Sequence, residues 1–124
     1  VKKWDCPVLL PPSLSVLPRT QHLTNPAKKL HDAGVELGFL VGDDKNSARV
    51  VFFQLMELVR AGLPADVAIA AVTKVPAKVL GIDARTGSLE VGKDADLLIF
   101  DGDPLSPEGR LQQVWLRGHA VPQP

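Results

Sequence analysis

Asp43 and Asp44 are the one adjacent pair of acids in this 124-residue chain. They follow the apolar run Val35-Glu-Leu-Gly-Phe-Leu-Val41 and Gly42, and they precede Asn46-Ser47. A carboxylate held at the end of a strand can accept a proton and return it. The same pair also suits the plainer role of a turn or helix-start acid. A carboxylate alone cannot hold a catalytic zinc ion, which takes three protein ligands and an open position. The histidines offer no substitute. His22 lies in a polar link, His31 in a helix-like segment and His119 in a hairpin turn, so none forms a metal-type pair and surface or capping roles are expected. Lys93 stands among turn residues and reads as structural. Arg49, just beyond the acids, could meet a substrate carboxylate, although a salt bridge is its plainer role. Cys6 is alone, which excludes an intrachain disulfide, and a buried small hydrophobe is its expected part. Trp4 and Trp115 read as packing residues.

The elements that must position these groups fall into three zones. In residues 1–46, Val8-Leu-Leu10 reads as a strand stopped by Pro11-Pro12. A polar link leads to Pro26–Ala33, a helix with proline at a first helical position and Gly34 beyond its end. Val35–Val41 then reads as a second strand, and its near-continuous apolar tail suits a parallel strand covered on both faces. Strand, helix and strand with short joins make the βαβ pattern of an α/β fold. In residues 47–81 the spacing predicts helices. Ser47–Ala61 is apolar around much of its circumference, as expected inside an assembly. Leu63-Pro64-Ala65-Asp66 restarts a helix with an acid near its positive end, and Pro76 opens a third, short one closed by Gly81. From residue 82 the pattern changes to strands. Ala95-Asp-Leu-Leu-Ile-Phe100 is the strongest, and Leu111–Arg117 with Gly118 and Ala120-Val121 reads as a hairpin.

Composition narrows the classes. Lysine plus arginine equals aspartate plus glutamate at 14 each, so nothing draws the chain to nucleic acid or to an anionic membrane. At 45% hydrophobic and 23% charged residues it reads as a globular domain, and no run of 18 apolar residues marks a transmembrane helix. The chain opens without an initiating methionine, a signal peptide or an opening motif, which points to a piece of a longer polypeptide. Cytoplasm is the default location.

One series of motifs is specific enough to suggest a family. Asp32-Ala-Gly-Val35, Gly42-Asp43, Asn46-Ser-Ala-Arg49, Arg60-Ala-Gly-Leu63, Pro76-Ala77 and Leu80-Gly81 are followed by Gly87-Ser-Leu89, Gly92-Lys-Asp-Ala-Asp96 and Asp101-Gly-Asp-Pro-Leu105. In this order the chain resembles the C-terminal part of a metal-dependent amidohydrolase, nearest to imidazolonepropionase- and dipeptidase-like members. The resemblance implies an α/β fold made of the C-terminal portion of a (β/α)₈ barrel plus strands of a small β-sandwich. Residues 1–81 would supply barrel strands and covering helices, and residues 82–124 the sandwich strands. Active sites of such barrels lie at the C-terminal ends of the strands, and Asp43 falls there.

By the same resemblance, Asp43 matches the acid that contacts metal and shuttles a proton, or Asp44 does if the register moves by one. The family usually carries serine or threonine just before this acid, where this chain has Gly42. Zn²⁺ or another divalent metal is implied for the complete protein. This chain alone is expected to bind none, because the family's remaining ligands come from earlier barrel strands. The expected partners are therefore the rest of the barrel, as an upstream segment or separate chain, an oligomer, and a small-molecule amide substrate, with no nucleic acid or membrane. The expected function is that of a segment of a hydrolase acting on amide or cyclic amide C–N bonds, inactive in isolation. The alternative is a non-catalytic amidohydrolase-like structural or binding protein.

Overall fold

The computed structural model describes residues 6–122, so Trp4 lies outside the described residues. The elements are β1 (Val8–Leu10), β2 (Ser15–Val16), β3 (Leu23–Thr24), α1 (Pro26–Asp32), β4 (Leu37–Phe39), α2 (Lys45–Arg60), α3 (Ala65–Ala70), α4 (Lys74–Val79), β5 (Leu97–Asp101), β6 (Arg110–Leu116) and β7 (His119–Val121).

The βαβ expectation is met by β1, α1 and β4. The two strands pair in parallel with Val8 opposite Leu37 and Leu10 opposite Phe39. All three residues of β4 are buried, which is why its sequence shows no polar alternation. The strand is shorter than the apolar run, because Leu40 and Val41 continue past the end of β1 and are exposed. The link read as polar carries a small antiparallel pair, β2 with β3, that its composition did not announce. Two residues per strand are too few to register as alternation.

Asn25 ties the first layer to the helices. Its side chain caps α1 by accepting from the Lys28 amide at 3.0 Å. Its amide group donates at 2.9 Å to the Leu58 carbonyl, in the last turn of α2. The core lies beneath, with Leu55, Leu58 and Ala68 from α2 and α3 fully enclosed against Ala27, Leu37, Phe39, Leu63, Ala71 and Leu105. Only one side of α2 is covered. Val50 and Phe53 stand 42% and 56% exposed, so the all-round apolar helix of the sequence has a wet apolar face. Pro76 does not open a helix but sits in the first turn of α4, where its missing N–H breaks no intrahelical bond.

The third zone contributes an antiparallel sheet in the order β5-β6-β7, with a bulge between Ile99 and Phe100. Phe100 meets Phe52 of α2 edge-to-face at 5.0 Å, joining the sheet to the helices. Residues 88–96 hold turns and loop rather than strands. The β6–β7 turn is Arg117-Gly118, both at positive φ, so His119 begins a strand and does not occupy the turn. Cys6 is exposed, against the buried role expected of it. No helix among the described residues is long and apolar enough to cross a membrane.

Candidate functional site

Asp43 owes its position to where β1 and β4 stop. Pro11 ends β1, and the last bond between the two segments is Leu40 N–H to the Leu10 carbonyl, 3.0 Å. The chain then crosses Val41 and Gly42 to Asp43, beyond the C-terminal ends of both parallel strands. Asp43 is exposed, and its carboxylate accepts no hydrogen bond and joins no ion pair among the described residues.

Asp44 is in a different state. It is the N-cap of α2, in extended backbone conformation (φ −84°, ψ 157°). One carboxylate oxygen accepts from the amides of Asn46 and Ser47 at 2.9 and 3.0 Å, satisfying helix-start donors that have no intrahelical partner. The other oxygen accepts from the Ser47 hydroxyl. The Ser47 hydroxyl, then its amide, hold the Asp44 carboxyl below the usual carboxylate range. The two acids thus differ in how they are engaged. Asp44 terminates a helix, and Asp43 presents an unengaged carboxylate.

The remaining sequence candidates do not converge on this loop. His22 lies between β2 and β3, His31 is in α1 and His119 is in β7. Among the described residues no group of three or more His, Cys, Asp and Glu side chains is placed to hold a metal ion. Asp43 therefore offers one carboxylate, and the described residues do not by themselves make a metal centre. Lys93 is largely covered (16% exposed), donating at 2.6 Å to Ser88 and lying 3.5 Å from Glu90, which braces the 88–93 loop. Arg49 is exposed on the second turn of α2 and forms no ion pair among the described residues. An apolar cavity of about 400 Å³ opens between α2, α3 and β5, lined by Phe52, Ile69, Val72, Leu98 and Phe100. None of residues 40–49 lines it, so it is separate from the acid loop.

Ser47 is the residue whose part in this loop the sequence reading passed over, naming it only as a neighbour of a possible cap. The Asp44-x-x-Ser47 spacing was the available signal, since it places a hydroxyl at the third helical position facing the cap.

Residues 15–121 match the family described as "Amidohydrolase family". The chain is 34% identical over 93 residues to the amidohydrolase tasK of Hapsidospora irregularis, covering 75% of this chain and 10% of that protein. It is 33% identical over 97 residues to the imidazolonepropionase of Brucella anthropi, covering 76% of this chain and 24% of the relative. Among solved structures, an amidohydrolase from Thermotoga maritima MSB8 aligns with a TM-score of 0.74 at 29% identity, over 82% of this chain and 27% of that one. The chain thus spans from about a tenth to about a quarter of the length of these relatives.

Proposed function

Because this chain belongs to the amidohydrolase family, we propose that it is a C-terminal segment of a hydrolase that cleaves amide or cyclic amide C–N bonds. Its mixed α/β architecture is shared with amidohydrolase-fold structures. In the proposed assignment, residues 1–81 close a (β/α)₈ barrel as its last strands and covering helices, and residues 82–124 add strands to a small β-sandwich. The observation that carries the reading is the unengaged Asp43 carboxylate just past the C-terminal end of a buried parallel strand, where barrels of this kind do their chemistry.

The surface supports a missing partner. The chain exposes 9045 Å². A compact monomer of 13.3 kDa exposes about 6,500 Å². The surplus, roughly 2,500 Å² on this side alone, would correspond to roughly 5,000 Å² summed over both partners, the size of large permanent interfaces. The rest of the barrel, upstream or in a separate chain, is the occupant this reading requires, and an oligomer is a further consequence of it.

The amidohydrolase superfamily generally uses divalent metals, and Zn²⁺ or a similar ion is proposed for the complete protein, with the other donors drawn from outside this chain. Asp43 takes the proton of the attacking water and returns it to the leaving nitrogen as the C–N bond breaks. The isolated chain is accordingly inactive.

Two preparations test this. The full-length polypeptide should carry stoichiometric divalent metal and turn over cyclic amides or dipeptides, with Asp43→Asn abolishing turnover and Asp44→Asn retaining it. The isolated chain should do neither. Tight stoichiometric Zn²⁺ binding with turnover by the isolated chain would overturn the segment reading. A full-length protein lacking both properties would favour a non-catalytic relative.

A further inference from the structure

The outer face of α2 carries a pattern that the core does not use. At 3.6 residues per turn, Leu55 lies about 200° and Leu58 about 140° around the helix from Phe53. Both leucines are fully enclosed in the cluster that holds Leu37 and Phe39 of β4, so Phe53 stands on the side turned away from the strands. It is 56% exposed, and Val50, one turn earlier, 42%. Arg49 and Glu57 lie on the same face, four residues before and four after Phe53. Both are exposed, and neither forms an ion pair among the described residues.

The order of these charges selects the partner. Two copies of α2 packed antiparallel about a two-fold axis at Phe53 would bring the two rings together. Arg49 and Glu57 lie about 6 Å from that point in opposite directions along the helix. The two-fold operation therefore sets each arginine level with the other copy's glutamate, twice over. A parallel pair would set like charge against like, which is costly. The face is thus complementary to itself, as an interface between two identical copies must be. We infer that the face of α2 formed by Arg49, Val50, Phe53 and Glu57 is a homodimer interface, occupied by a second copy of this chain. Phe53 supplies its apolar centre, and the two charge pairs fix its orientation more than its affinity. In the barrel arrangement proposed above, further segments join beside β1, β4 and α2 and leave this face outermost. The inference needs no catalytic activity and is independent of the role of Asp43.

The test is sedimentation velocity over a concentration series, on the full-length polypeptide that contains this chain. The parent should dimerise. Phe53→Asp puts a charge at the axis and should raise the dimer dissociation constant by about tenfold or more. Arg49→Glu and Glu57→Arg each set two like-charged pairs across the axis. Each should weaken the dimer by about tenfold or more, with partial recovery in added salt. Combining the two reversals restores opposite charges and should return parent-like association, a rescue that a folding defect would not give. Circular dichroism of each variant verifies that the helices are kept. A monomeric parent overturns the inference, and a monomer that Phe53→Asp destabilises assigns the face to another part of the same polypeptide. A dimer indifferent to Phe53→Asp has its contact elsewhere and also overturns it. Weakening by both single reversals without recovery in the double variant overturns the antiparallel arrangement.

Discussion

Asn25 is bonded to two helix ends at once, and replacing it separates the two connections. The residue is 8% exposed, with its carbonyl oxygen on the Lys28 amide and its amide group on the Leu58 carbonyl. Asn25→Ala removes the α1 cap, which costs about 1 kcal/mol. It also removes the donor to Leu58, whose carbonyl keeps the Leu63 amide at 3.0 Å as a second partner. That retained bond keeps the second loss near the net worth of one hydrogen bond, about 1 kcal/mol. The expected sum is about 2 kcal/mol. Asn25→Asp is the sharper probe. It preserves the acceptor for Lys28 and adds charge at the favourable end of α1, but it turns an oxygen toward the Leu58 carbonyl at the negative end of α2. Native-state hydrogen exchange reads the two ends separately. The Lys28 amide should lose protection in Asn25→Ala and keep it in Asn25→Asp, while Ala61 and Gly62 at the end of α2 should lose protection in both. Equal exchange at Lys28 in the two variants, or a cost below about 0.5 kcal/mol for the alanine, would refute the reasoning.

Three further outcomes are expected. Gly109→Ala should destabilise by at least about 2 kcal/mol in denaturant unfolding, because its Cβ would stand 2.0 Å from the Asp103 carbonyl oxygen, a backbone atom that cannot rotate away. Arg117→Asn should raise the melting temperature, corresponding to about 0.5–1 kcal/mol, since Arg117 holds φ 48° ahead of Gly118 in the two-residue β6–β7 turn and its backbone bond to Asp96 is kept. Glu90 is held below its ordinary value of 4.5, first by the Ser88 hydroxyl and then by the Lys93 charge. Its contribution is therefore present above pH 4.5 and lost as pH falls through the lower folded value, so Glu90→Gln should flatten the dependence of melting temperature on pH in that acid window.

Most of the elements were legible because each rested on a local signal. Pro11-Pro12 marked the end of β1, proline and Gly34 bracketed α1, and short apolar runs set off by glycine-containing turns marked β5 and β6. The β2–β3 pair was not legible, because so short a ladder is held by backbone bonds that leave little mark on composition. The start of α2 was placed two residues late for a related reason. Its cap is made by Asp44, and an acid pair does not say which member turns into the helix.

The sequence by itself determined the family, through glycines and acids whose order along the chain survives without reference to contacts. It also placed an acid pair at the end of a buried strand. The division of that pair was decided only by the tertiary structure. Asp44 is occupied because the first turn of α2 presents two amides and the Ser47 hydroxyl to it, whereas Asp43, one residue earlier, precedes the helix and has no such donors. The crowding at Gly42, where an added Cβ would stand 2.5 Å from the Ser47 hydroxyl oxygen, belongs to the same level. It depends on how closely a helix side chain approaches a strand end, a distance between segments that residue order does not contain.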